Sequence, residues 1–241
     1  MSRVLVITVA VVAIAFVVNV TSQPAPLASR IGSSPVVVEL FTSQGCSSCP
    51  PADELLGRIA RDASLRGRVI PLAFHVDYWN HLGWRDPFSS AEWSQRQSDY
   101  VRALGISGAY TPQAVVDGRR EFIGSDERRL FGAIEEASKR AANASLSIEA
   151  DVAHINAPRE LELIALTVGD AQTTNVARGE NGGRTLTNYA IVQKLTRVGN
   201  VRGKADRALP AGTNVVLLQD GKTMEIWSAA VPAAVGGRLA R

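Results

Sequence analysis

Cysteine is nearly absent from this chain of 241 residues, which holds two. Without a second pair a zinc ribbon has no ligand set. No glycine-rich phosphate loop and no Gly-x-Ser-x-Gly elbow occurs, which argues against a phosphate-cradling nucleotide site and an ordinary serine hydrolase. Lys and Arg number 26 against 23 Asp and Glu, a net charge of +3. These charges are scattered rather than grouped into a stripe with interleaved aromatics, so nucleic-acid binding is unsupported. Repeats and low-complexity tracts are missing too. What remains, 46% hydrophobic and 20% charged, is the composition of a folded globular protein.

One long apolar run is present, at 4–20, interrupted by Thr8 and Asn19 and preceded by Ser2 and Arg3. It reads as an export signal over residues 1–22, with cleavage after Ser22, or as an uncleaved single-span anchor. The expected location is periplasmic or secreted, with inner-membrane anchoring as the variant. Outside the cytosol a cysteine pair is not held reduced by glutathione and thioredoxin pools.

The two cysteines form Cys46-Ser47-Ser48-Cys49, placed where an apolar run at 36–41 breaks at Gly45 and a helical period begins. A helix N-terminus offers partial positive charge and unpaired amides, so it favours the thiolate, the form that attacks disulfides and binds soft metals. An idle buried pair or a static disulfide would have the same sequence.

After the cysteines, Ala52, Leu55, Leu56, Ile59 and Ala63 trace one helical face, and a second apolar strand follows at 69–76. Ser89 with Glu92 makes a capping box, and Trp93, Gln97, Tyr100, Val101 and Leu104 give a helix that stops at Gly105. Strands at 113–116 and 121–123 flank Asp117-Gly118, a hairpin signal, and Ser125 caps a closing helix through Leu130, Ile134, Ala137 and Ala141. The order β-α-β-α-β-β-α predicts a four-stranded mixed sheet with helices on both faces. From residue 144 alternating strands take over: one through Leu146, Ile148, Ala150 and Val152, another after an Asn156-Ala157-Pro158 turn, and a hairpin about Asp220-Gly221. The expected fold class is therefore α/β, with domains at 34–143 and 144–241, the second a smaller all-β, sandwich-like one.

The cysteine pair and this element order resemble the thioredoxin fold over residues 34–143. Thr111-Pro112 directly precedes the third strand, where that resemblance implies a cis-proline packed against the disulfide beside a free backbone edge. It also implies that Glu39, on the first strand, is a buried acid shuttling the proton of the second cysteine. A carboxylate there would have a raised pKa; an exposed edge-strand glutamate is the alternative. Pro50 and Pro51 depart from the thioredoxin pattern and suggest that Cys49 sits at the helix cap.

Residues 74–110 carry eight of the chain's 14 aromatic side chains. They read as a substrate groove of Trp79, Tyr110 and Thr111 beside the cysteines, or as an aromatic plug covering the sheet. With His75-Val76-Asp77-Tyr78-Trp79, Tyr110-Thr111-Pro112-Gln113 and Arg178-Gly179-Glu180-Asn181, the chain is similar to the predicted secreted thioredoxin-like proteins of the twelve-twenty-three domain-of-unknown-function family. Asn188 stands where that family leads us to expect histidine.

The leading functional reading is an exported thiol–disulfide oxidoreductase with Cys46, Cys49, Pro112 and Glu39 at its centre. Cys46, expected to be the more exposed, attacks or is attacked, and Cys49 resolves. Partners would be protein thiols or disulfides, a membrane redox partner among them, and no cofactor is called for. The alternatives are a copper-binding or assembly protein using Cys46, Cys49 and either His75 or His81, and a non-catalytic thioredoxin-like binding module.

Overall fold

A computed structural model describes residues 34–232; the export segment expected at 1–22 lies outside them. Within them no helix is long and apolar enough to cross a membrane. The described residues form a mixed α/β structure with three α-helices and a large mixed sheet of nine strands.

The first half follows the order read from periodicity: β1 (Val36–Thr42), α1 (Pro50–Arg61), β2 (Val69–His75), α2 (Ala91–Leu104), β3 (Gln113–Val116), β4 (Arg120–Ile123) and α3 (Glu127–Ser138). β1 and β2 run parallel; β3 is antiparallel to β1 and to β4, giving the order β2-β1-β3-β4. β1 is buried along its whole length because both faces are covered, which is why it reads as continuous apolar sequence. Val36, Val38 and Leu40 pack with α1 and α3, while Val37 and Phe41 face the core shared with Trp93 and Tyr100 of α2. Asp117 and Gly118, both at positive φ, 49° and 67°, turn the β3–β4 hairpin, whose loop is 117–119. The caps sit one residue later than expected: Ser90 accepts from Glu92 N, and Asp126 from Arg129 N.

The second half comprises β5 (Ser145–Glu149), β6 (Val152–Gly169), β7 (Gln172–Asn175), β8 (Thr185–Asn188), β9 (Ile191–Ala208), β10 (Val215–Gln219) and β11 (Ile226–Ala230). The expected separate sandwich-like sheet does not form. β9 joins the outer edge of β2 in parallel, at Ala73 against Ile191, and one sheet continues as β11-β10-β6-β9-β2-β1-β3-β4, with β5 on β6 and β7–β8 as a separate ribbon. The reason is apolar burial: Ile164, Leu166, Val168, Val192, Val215 and Leu217 lie in the same core as Phe41, Phe74 and Trp93. Two local readings also change. The alternation through 146–152 is broken by a turn at Ala150 and Asp151, both at positive φ, and the expected turn at 156–158 is instead an irregularity inside β6.

Candidate functional site

The site lies where β1 ends and α1 begins. Gly45 N donates to Ser43 Oγ at 3.1 Å and Cys46 N to Ser43 O at 3.2 Å, turning the chain after Thr42. A Cβ on Gly45 would come within 2.9 Å of Trp79 Cβ, so the close approach of the Trp79 side chain needs glycine there. Cys46 and Cys49 are joined as a disulfide with Cα atoms 5.4 Å apart. Cys49 is the N-cap of α1, in αR geometry, with proline at N1 and N2; proline is tolerated there because the missing N–H has no helical partner anyway.

The Thr111–Pro112 peptide bond is cis, and the Thr111 carbonyl oxygen lies 3.8 Å from Cys46 Sγ. Trp79 Nε1 donates to Thr111 Oγ1 at 2.8 Å, so this side chain spans from Gly45 to Thr111. Tyr110 turns its hydroxyl to Glu121 Oε2, at 2.5 Å. The expectation that Cys46 is exposed is not met: both cysteines are 0% exposed, and only Ser47 and Ser48 between them face solvent.

Part of the cover comes from the loop joining β7 to β8. Asn181, itself buried, donates from Nδ2 to the carbonyls of Gln44 (2.9 Å) and Cys46 (2.8 Å). Its neighbour Glu180 accepts from Ser47 N at 2.9 Å. Gln44 ties the arrangement to the segment before α2 and to the β7–β8 ribbon, giving its N–H to Asp86 Oδ2 at 2.7 Å and its Nε2 to Asn188 Oδ1 at 2.8 Å. The second half of the chain therefore holds the cysteine loop from outside, by side chains that bind its main chain.

Behind the disulfide is a buried polar cluster. Asp53 sits four residues after Cys49, and its N–H donates to Cys49 O at 3.1 Å, so the two side chains share one helix face a turn apart. Burial pushes the Asp53 carboxyl up to about 7, against the opposing pull of His75, Thr42 and Asn188. His75, opposite Thr42 in the β1–β2 register, places Nδ1 2.7 Å from Asp86 Oδ2. Burial opposes its imidazolium, but the neighbouring carboxylates, Asp86 foremost, win and raise its pKa. Thr42 Oγ1, His75 Nε2 and Asn188 Nδ2 are all buried and make no hydrogen bond of ordinary geometry. An open groove lined by Pro50, Asp53, Arg184, Thr187 and Tyr189 links Asp53 to the surface.

Glu39 is not brought to the cysteines. It points to the α2 face of β1, 0% exposed, with Oε1 2.7 Å from Arg96 Nε and Oε2 accepting from the Tyr100 hydroxyl. Gln219 of β10 accepts from Arg96 at 3.1 Å and donates to Tyr100 at 3.0 Å. Of the two histidines considered as metal ligands, His75 is paired with Asp86, and His81 is exposed with Nδ1 2.7 Å from the carbonyl of Tyr78. Among the described residues no group of three His, Cys, Asp or Glu side chains is placed to hold a metal ion. Sequence reasoning missed Asp53 and Asp86, and it named Glu180 and Asn181 only as part of the Arg178–Asn181 motif, with no place at the cysteines. Asp53 carried a local signal, a carboxylate one turn after Cys49 beside the apolar stripe of α1.

The fold and site define an α/β protein whose one disulfide lies at a helix N-terminus, beside a cis-proline and backed by a buried acid. The chain matches the family model described as "Protein of unknown function (DUF1223)" over residues 37–225, and it belongs to that family. No curated protein matches it. Among solved structures it is similar to a crystal structure of an Agrobacterium tumefaciens protein, with 30% identity and a TM-score of 0.68 over 83% of this chain and 95% of that one. A looser likeness, 16% identity and a TM-score of 0.49, covers 85% of this chain and 79% of HBP35 of Porphyromonas gingivalis.

Proposed function

We propose that this protein is an exported, thioredoxin-like thiol–disulfide oxidoreductase working through the Cys46–Cys49 couple. The observation that carries the reading is Asp53, a buried carboxyl poised near neutrality one helical turn from Cys49. A disulfide that serves only as a staple needs no such group. A bridge of sequence separation 3 is also a poor staple, since so short a loop restricts the unfolded chain by only about 2 kcal/mol. The β2-β1-β3-β4 order with β3 antiparallel, and the cis bond before Pro112, support the thioredoxin-like assignment. The apolar run at 4–20 supports export, to a compartment where a disulfide persists.

In the reaction a partner thiolate attacks Cys46 Sγ, a partner–Cys46 disulfide forms, and Cys49 leaves as the thiolate. Asp53 in its protonated form gives that thiolate a proton. A second partner thiol then releases Cys46, so two partner thiols become one disulfide while the protein gains two thiols. Run backwards, Asp53 takes the Cys49 proton and frees the resolving nucleophile. With both sulfurs covered, exchange requires Trp79 or the β7–β8 loop to give way.

The test is a glutathione redox titration of the full chain, with disulfide-exchange rates for wild type, Cys46→Ser and Asp53→Asn. The expected result is a reversible couple above about −300 mV, no turnover in Cys46→Ser, and turnover roughly ten- to a hundredfold slower in Asp53→Asn with its pH dependence near neutrality lost. A lower potential with no exchange would establish a structural bridge and overturn the proposal.

A further inference from the structure

Glu180 lies at the N-terminal end of α1, outside the proton path just described. It is an exposed residue of the β7–β8 loop, yet its Oε2 accepts from Ser47 N at 2.9 Å, and the Ser47 hydroxyl together with this amide holds its carboxyl below the usual range. Its place is maintained by the loop. Asn181 is anchored by Gln44 O and Cys46 O, and its Oδ1 receives Arg184 Nη1 at 2.8 Å. Gly179, at φ +77°, passes so close to Trp84 that a Cβ would lie 3.1 Å from the Trp84 Cβ.

The chemistry of that position follows from what a reduced Cys46 needs. A thiolate at a helix N-terminus is stabilised by the free amides of the first turn and by the positive end of the helix dipole. Here α1 begins with two prolines, which carry no N–H, and the amide directly after Cys46, in the turn before the helix, is already taken by an anion. Glu180 removes one donor and adds one like charge, and both effects disfavour the thiolate. Other charged groups near the couple stand behind Cys49 or on the loop: Asp53 of α1, His75 of β2 with Asp86, and Arg184, which is turned to Asn181. None of these meets the Ser47 amide. Resting on the thiol–disulfide reading above, we propose that Glu180 is a positioning residue that sets the acidity of Cys46, keeping the couple more reducing than its helix N-terminus alone would make it.

Two measurements test this. In full-length protein carrying Cys49→Ser, Cys46 is the only thiol, and the pH profile of its alkylation by iodoacetamide reports its pKa whether or not the protein is an enzyme. Adding Glu180→Gln, which keeps an acceptor for Ser47 N but removes the charge, should speed alkylation at about pH 6 roughly three- to tenfold, and Glu180→Ala, which also frees the amide, should speed it more. Raising ionic strength to about 1 M should shrink the Gln effect, because an exposed charge is screened. Glu54→Gln, on α1, is the control and should leave the profile unchanged. With both cysteines present, Glu180→Gln should shift the glutathione equilibrium toward the dithiol by up to about tenfold, which is about 30 mV for a two-electron couple. Superimposable profiles for Glu180→Gln and its parent in a folded protein, or an equal shift from Glu54→Gln, would overturn the proposal. A couple that glutathione never reduces would instead sink the oxidoreductase reading, and the single-cysteine comparison would still decide the role of Glu180.

Discussion

The two faces of β1 bury polar groups on opposite terms. On the α2 face the Glu39 carboxylate is matched by Arg96 and Tyr100, and Gln219 closes the set from β10. On the α1 face Thr42, His75 and Asn188 surround Asp53 with atoms that make no hydrogen bond of ordinary geometry. The first cluster is an ion pair whose members are tied to one another, with burial opposing the Arg96 charge and Glu39 more than restoring it. The second holds a carboxyl near neutrality, which suits the proton transfer proposed above.

The sharpest way to break this contrast is Arg96→Met, which leaves Glu39 buried without its cation. We expect a loss of about 3–5 kcal/mol in urea unfolding, with the Cys46–Cys49 potential unchanged. A potential that moves together with stability would mean that the two faces are coupled.

Asp53→Asn should do the reverse at alkaline pH. Because the folded carboxyl titrates at about 7 and the ordinary value is 3.8, the folded state holds the proton more tightly than the unfolded chain. Wild-type stability should therefore fall as pH rises from about 4 through about 7, and the cost is fully present above that range. The variant should be more stable than wild type at pH 8 by on the order of 1–3 kcal/mol, and no more stable at pH 4. Thermal unfolding at the two pH values checks this, and a stability difference that does not depend on pH would place the Asp53 charge outside the buried cluster.

Asn181→Ala should have the smallest effect on stability. It removes two hydrogen bonds to the cysteine loop, worth about 1–2 kcal/mol together. It should also raise the rate at which glutathione reaches the disulfide, measured by quenched trapping of thiols. Unchanged access would show that the loop is a brace and not a cover.

Much of the first half was legible because its cues are local. Apolar runs of strand length, the helix stripe of Leu55, Leu56 and Ile59, and the Asp117-Gly118 turn each specify an element within a few residues. The second half hid its plan. The Ala150 and Asp151 turn uses non-glycine residues at positive φ, so alternation runs through it unbroken. β9 is largely polar and exposed over its 18 residues, and the sequence reading assigned no strand there. Glu39 illustrates the limit at the site itself. Its position on a buried strand is readable, but the face it takes follows from the strand's two-residue period, and its partner Arg96 comes from a helix 57 residues away.

From sequence alone come the cysteine pair on its strand-to-helix turn, the proline before β3 and the sequence of elements through residue 138, since each depends on near neighbours in the chain. Tertiary structure alone decided that the two halves share one sheet, that Asp53 rather than Glu39 stands with Cys49, and that Glu180 and Asn181 close over the cysteine loop. The shared sheet and the closed loop join residues more than a hundred positions apart, and Glu39 is turned away by the face its strand presents to α2. Burial and hydrogen-bond matching act there, and local propensity has no say.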